Sequence, residues 1–381
     1  MNKIKFLKFI DRVLGKSLVY LLPRIKKNRN DISQKIKKIL IIRPGGIGDA
    51  VLLMPAINLL KLRFPDSEFD ILCEKRNADI FRLSKDINPT PQLLSCESKK
   101  RGYGVNSIYL YDKGLGFNRC LRNRYDVVID TEQWHRLSAV VSYLTGAPIR
   151  IGFDTNERGK LFTHRIPYSH DDYEVYSFFH QIEPLMHDLP EVKIDEPFID
   201  IPDGSSSKLL SGAMEENNRL IAVFPGASVM ERRWGGDRFG KVAKALNDKG
   251  YKIVILGLSS DMEDADSIKR YAHDCIDLTG RTNLRDVSLI LKMSRVLLTA
   301  DSGLMHIASA VGTPTVSLFG AGIEKKWAPK GKQHIILNKH LACSPCTRFG
   351  YTPPCKIDVE CLSSISVDEV TEAVENILNQ D

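Results

Sequence analysis

Residues 295–320 read RVLLTADSGLMHIASAVGTPTVSLFG, and they decide the fold. Residues 296–298 are a short apolar run, the signature of a buried strand, and Ala300, Asp301, Ser302 and Gly303 follow as a polar turn. Leu304, Ile307, Ala308 and Val311 then recur at helical spacing until Gly312 and Pro314 stop the helix, and residues 315–319 read as the next strand. A strand, tight turn, helix and strand in succession are the unit of an open, doubly wound parallel α/β sheet.

In such a sheet the turn lies at the carboxyl end of a strand, and the first amides of the next helix point outward. Those donors and the aligned peptide dipoles attract an anion such as phosphate. Gly303 lets a ligand approach the backbone, and His306 lies one turn further on. The alternative is that Asp301 or Ser302 only caps the helix.

The chain has 381 residues, 43% of them apolar, enough for two α/β domains. Its formal charge of +7 is unevenly spread: residues 1–38 carry twelve Lys or Arg against two Asp, leaving −3 for the remainder. A body without a basic stripe argues against nucleic acid as a partner. Within residues 1–37, Ile4, Leu7, Ile10, Leu14, Leu18, Leu21 and Ile25 recur near helical spacing among lysines, which predicts a basic amphipathic extension. Its longest apolar run is too short to span a bilayer, and no cleavage site follows. The expected partner is an anionic membrane surface, bound peripherally; the alternative is a helix packed on the first domain.

Of eight cysteines, Cys343, Cys346, Cys355 and Cys361 fall close together as C-x2-C-x8-C-x5-C. A structural zinc and free thiols are the two readings.

The first domain, residues 38–190, opens with the strand KILIIR at 38–43, the loop PGGIGD at 44–49 and a helix over 50–64 that holds Pro55 in an early turn. Gly46 and Gly48 permit close approach to the backbone, but this is not G-x-G-x-x-G, so a dinucleotide cofactor is not indicated. Asp49 is either a helix cap or a carboxylate placed to take a proton. Strands are expected at 69–73, 107–111 and 126–130, and residues 131–136 follow the last of them. A helix is expected over 137–144, and residues 171–189 read as mostly helical. Arg136, Arg150, Arg158 and Lys160 are candidate contacts for a phosphorylated acceptor, or simply solvated. Residues 191–207, rich in Pro, Asp and Ser, are the expected hinge. The second domain, residues 208–381, has strands at 219–224 and 251–256 before the opening motif and a closing helix over 366–378.

DSGLMHIASAVGTPTVSLFG resembles the D-[ST]-G-x-x-H-x-A-x-A-x-G-x-P-x-V-x-L-F-G signature of glycosyltransferase family 9, the ADP-heptose:lipopolysaccharide heptosyltransferases of Gram-negative bacteria. IIRPGGIGDAVLLMP is similar to that family's R-x-x-x-x-G-D-x-x-x-x-x-P motif, and the likeness runs from about residue 38 to 378. It implies a GT-B fold, two doubly wound domains facing across a cleft, the first on the acceptor side and the second holding the nucleotide sugar. It makes Asp49 the catalytic base and Arg43 a contact for an acceptor phosphate, with Gly46, Gly48 and Arg136 on the acceptor side. PGASVMERRWG at 225–235 resembles P-G-A-S…K-R-W-P, which brings Gly226, Ser228 and Arg233 to the donor and sets Arg232, where the family has Lys, against the diphosphate. By the same likeness Asp261, or Glu263, suits the ribose, Thr282 borders the adenine, and Asp301, Ser302, Gly303 and His306 hold the phosphates. Trp327 and Pro329 match W-x-P. A family His is replaced near Tyr173 or Glu174.

The implied activity is an inverting transfer of heptose from ADP-heptose to a lipid-linked core sugar, with no cofactor required. A relative using another activated hexose and a non-catalytic nucleotide-sugar binder are the alternatives.

Overall fold

The computed structural model describes residues 11–24, 36–83, 105–111, 113–186, 190, 192–201 and 219–380. They divide into two compact units, each built on its own six-stranded sheet. The first unit holds β1 (Lys38–Arg43), β2 (Glu68–Cys73), β3 (Ser107–Leu110), β4 (Val127–Asp130), β5 (Ile149–Phe153) and β6 (His164–Ile166), in the order β3-β2-β1-β4-β5-β6. The second holds β7 (Leu220–Phe224), β8 (Lys252–Ile255), β9 (Cys275–Asp277), β10 (Val296–Ala300), β11 (Thr315–Phe319) and β12 (His334–Asn338), in the order β12-β11-β10-β7-β8-β9.

Neighbouring strands are parallel throughout, so both sheets are doubly wound with the same order. The central strands are apolar on both faces because helices cover both sides, and β4, β7, β10 and β11 are buried along their whole length. Each sheet has a switch point where the winding reverses, between β1 and β4 in one and between β7 and β10 in the other. Ligands in such sheets bind outside the carboxyl ends of the strands at that point.

The helix after β1 runs Ile47–Arg63 with Gly46 as its N-cap, three residues earlier than the sequence pattern gives. Asp49 therefore sits in the first helical turn, and Pro55 lies in the helix interior rather than in an early turn. Residues 50–57 are all buried, and that packing offsets the roughly 3 kcal/mol that an interior proline costs. Gly45 adopts φ +106°, a conformation that favours glycine, and turns the chain from β1 into this helix.

Asp11–Gly15 and the helix Lys16–Leu21 pack on the first unit. Val19 is 1% exposed in a cluster with Ala139, Val140, Leu161 and Phe162, while Leu14, Leu18, Tyr20 and Leu21 remain exposed. Packing on the domain and an outward apolar ridge thus coexist in one helix. Residues 1–10 and 25–35, where much of the basic charge falls, lie outside the described residues. No helix among the described residues is long and apolar enough to cross a membrane.

Residues 202–207 of the expected hinge are likewise outside them. Its described part, 192–201, lies against the second unit, with the Phe198 and Ile199 amides donating to the Ala310 carbonyl at 3.0 and 2.9 Å. The closing helix is Val367–Leu378, held by a capping box in which Ser366 and Glu369 satisfy each other's amides.

Candidate active site

At the first switch point, Arg43 ends β1 and is 1% exposed. Its Nε donates to the Pro44 carbonyl at 2.7 Å, one terminal nitrogen to the Thr131 carbonyl at 2.7 Å and the other to Gln133 Oε1 at 3.3 Å. The same face of the guanidinium lies 3.5 Å from Asp49 Oδ2 and 3.9 Å from Glu132 Oε2. Burial alone lowers an arginine pKa, but the carboxylates of Asp49, Glu132, Glu174 and Asp130 more than offset it, so Arg43 stays charged.

Glu132 is equally well held. Burial opposes its ionisation, yet His135, Arg43 and Arg158 bring its pKa below the usual carboxylate value. Its Oε1 accepts from the Trp134 and His135 amides at 3.0 and 3.2 Å. Glu174, fully buried, accepts from Gln133 Nε2 at 2.7 Å and from the Tyr168 hydroxyl at 3.1 Å. Asp49 is the open member of this cluster, its side chain 21% exposed.

At the second switch point, Asp301 follows β10 and Arg232 comes from the turn after β7. Arg232 lies 3.0 Å from Asp301 Oδ2 and donates to Thr347 Oγ1 at 3.3 Å. Here the exposures reverse: the Asp301 side chain is 6% exposed and that of Arg232 18%, and Arg232 Nε has no hydrogen-bond partner among the described residues.

The helix Gly303–Val311 begins beside this pair with Ser302 as N-cap, but the Ser302 hydroxyl pairs with Thr299 at 3.0 Å and caps nothing. Ser302 therefore does not cap the helix through its side chain. His306 is 4% exposed, its Nδ1 without a partner among the described residues, and its ring lies edge-on to Trp327. Burial pushes its pKa down to about 4, so the free ring is neutral near pH 7.

The two clusters gather Arg43 and Asp49 with Gly46 and Gly48 in one unit, and Arg232, Asp301, Ser302, Gly303 and His306 in the other. Several expected contacts are instead structural. Arg43 has its donors engaged within the protein. Arg158, 0% exposed, is ion-paired with Asp130 at 2.7 Å, and Arg150 donates to the Ala147 and Leu161 carbonyls. Lys160 donates to the Val19 and Tyr20 carbonyls at 2.8 Å, fastening the N-terminal helix. Arg136 is mostly covered and lies 3.8 Å from Glu157.

In the second unit, Arg233 is shared between Asp261 and Asp264 at 2.7 Å each. Asp261, 2% exposed, accepts from the Leu258 amide on its other oxygen, so both of its oxygens are engaged within the unit. Gly226 is buried against it: a Cβ there would fall 2.6 Å from Asp261 Oδ2. Ser228 is exposed, and Thr282 lies half-buried beyond the edge strand β9, away from the switch point.

From the sequence, Glu132 and Gln133 fall in the stretch after β4 and Glu174 is named as a position where a family His is replaced, but none of them is given a role; Thr347 and Gly322 are not singled out. Gly322, shortly after the F-G of the long motif, is required by close packing: a Cβ there would lie 1.9 Å from Asp301 Oδ2.

The zinc reading finds no support in the structure. Among the described residues no group of three or more His, Cys, Asp or Glu is arranged to hold a metal. Cys343 and Cys355 are exposed, while Cys361 is turned into the core so that a Cβ on Gly320 would fall 2.5 Å from its sulfur. Burial raises the Cys361 thiol pKa, and Cys355, Cys343 and Cys346 lie near enough to raise it further.

Two doubly wound units, each with a charged cluster at its switch point, define an α/β protein of the GT-B class. The sequence profile of glycosyltransferase family 9 (heptosyltransferase) matches residues 115–355. The chain is similar to lipopolysaccharide heptosyltransferase 3 of Escherichia coli, 26% identical over 74% of this chain and 83% of that one. It is also similar to lipopolysaccharide heptosyltransferase 2 of Salmonella typhimurium, 24% identical over 90% and 99%. Among solved structures, ADP-heptose lipopolysaccharide heptosyltransferase II of E. coli superposes with a TM-score of 0.69 at 22% identity, covering 90% of this chain and 99% of that one. A family 9 glycosyltransferase of Veillonella parvula gives 0.70 at 19% identity, covering 94% and 99%. This chain belongs to glycosyltransferase family 9, the heptosyltransferase family, and is an enzyme of glycosyl transfer.

Proposed function

We propose that the chain is an inverting heptosyltransferase that moves heptose from ADP-heptose to the core oligosaccharide of lipopolysaccharide. The observation that carries this reading is the opposite construction of the two arginine–aspartate pairs. One unit seals its cation and leaves a carboxylate open; the other seals its carboxylate and leaves a cation open.

Heptosyl transfer needs both signs. The acceptor hydroxyl loses its proton as its oxygen attacks the anomeric carbon, and Asp49 takes that proton, a role that contributes typically about 10² to 10⁴ in rate. The bond from the anomeric carbon to the phosphate oxygen breaks as the new bond forms on the opposite face, which inverts the configuration. The departing diphosphate gains negative charge, which Arg232, the first amides of Gly303–Val311 and the His306 ring receive. Residues 38–190 then form the acceptor side and residues 208–381 the donor side.

The same reading gives the N-terminal helix a lipid surface. Leu14, Leu18 and Leu21 form an exposed apolar ridge in a stretch of surplus positive charge, suited to the anionic cytoplasmic face of the inner membrane, where each basic residue contributes about 1 kcal/mol. Cosedimentation with anionic vesicles that is lost at high salt is the expected result.

Incubation of the purified protein with ADP-heptose and a heptose-deficient core acceptor should give a product heavier by one heptose, with inverted anomeric configuration. Absence of transfer with ADP-heptose, but turnover with another activated hexose, would favour the second reading. That reading draws on Arg232, whose planar fork stands where the family carries lysine.

A further inference from the structure

The turn between β4 and the helix Arg136–Leu144 is held from two sides. From inside, Glu132 accepts its Trp134 and His135 amides. From outside, Asp11, 6% exposed and contributed by the N-terminal segment, accepts the Leu137 amide on Oδ1 at 2.7 Å and lies 3.4 Å from His135 Nδ1 on Oδ2. Asp11 thus supplies the cap that His135, the N-cap residue of that helix, does not provide.

The packing at this contact is close. A Cβ on Gly15 would fall 3.0 Å from Arg136 Cβ and 3.1 Å from Asp11 Oδ1, so glycine there lets the segment lie directly on the start of the helix. The secured turn is also the platform for Arg43, which donates to the Thr131 carbonyl and to Gln133 Oε1 and holds Asp49 at 3.5 Å.

We propose that Asp11 is a positioning residue for transfer: by fixing the 131–137 turn it holds Arg43, and through Arg43 the Asp49 carboxylate, in working geometry. The N-terminal helix is then part of the acceptor-side machinery as well as a membrane contact. This inference rests on Asp49 being the base.

The test is steady-state transfer to a soluble, lipid-free truncated core acceptor, so that membrane binding does not enter, alongside thermal melting of each variant. Asp11→Ala is expected to lower kcat about tenfold with KM for both substrates within twofold. Asp11→Asn, which keeps an oxygen for the Leu137 amide, is expected to recover part of that loss. Ser17→Ala, on the exposed side of the same helix, is expected to match the parent. A folded Asp11→Ala protein with parental kcat overturns the proposal. So does a loss of kcat that disappears when assays are run at equal distance below each melting temperature, because it marks Asp11 as structural only. Asp49→Asn separates the two ideas: transfer surviving in that variant overturns the base assignment and this inference together, whereas its loss beside a silent Asp11→Ala overturns this inference alone.

Discussion

The two units share a strand order, yet their arginine–aspartate pairs are inside out relative to one another. In the first, Arg43 is 1% exposed with its donors engaged, and Asp49 is 21% exposed. In the second, Asp301 is 6% exposed and Arg232 is 18% exposed. In each pair the opposite charge offsets the cost of burying the sealed ion, and the more exposed partner is left nearer to solvent for other chemistry. One scaffold used twice therefore offers an anion at one switch point and a cation at the other.

The largest effect is expected at Asp49. Asp49→Asn should reduce transfer about 10³-fold while leaving ADP affinity within twofold, because in the proposed mechanism the lost group accepts the acceptor's proton and stands apart from the donor. Weaker ADP binding measured by calorimetry would break the assignment of opposite roles. Arg232→Ala should lower kcat by about 10², consistent with removing one group that stabilises transition-state charge, and should also weaken ADP binding. Equal ADP affinity in that variant would place the diphosphate elsewhere.

A smaller effect concerns acid stability of the second unit. His306 and His334 are both pushed down to about 4 by burial, from an ordinary value near 6.5. Below pH 6.5 the unfolded chain binds protons that these folded rings refuse, so their stabilisation is present above that pH and is lost as pH falls towards 4. At pH 5 the loss is about 2 kcal/mol per ring. Thermal melting against pH should show the decline, and His306→Asn should make it shallower between pH 6.5 and 5. Bound ADP should oppose the decline, since the diphosphate favours the charged ring. Smallest of all, Ser366→Ala removes the cap of the closing helix and should cost about 1 kcal/mol with kcat unchanged. A fall in kcat there would show that losses in the second unit reflect general loosening rather than its charged pair.

Much of the scaffold is legible in the chain. Residues 296–298 and 315–319 announce strands because a parallel strand covered on both faces must be apolar throughout. The short edge strands β6 and β9 escape because three half-buried residues carry no period to detect. Asp49, Asp301 and His306 could be picked out because each follows a strand at a motif. That Glu132 and Glu174 join them could not be read: they lie about 83 and 125 positions beyond Asp49 and meet Arg43's cluster only through the fold. Arg233 and Asp261 illustrate the converse. Their residue types suited a ligand, and the structure spends them on one another.

The sequence by itself determined two doubly wound sheets, the positions of the loops that end β1, β7 and β10, and membership of a transferase family, because strand burial, helix periodicity and turn chemistry are local. Only the tertiary structure decided which charges are sealed and which are left open. Exposure depends on what distant segments cover, as Thr131, Gln133 and Glu132 cover Arg43 while Asp49 stays partly exposed.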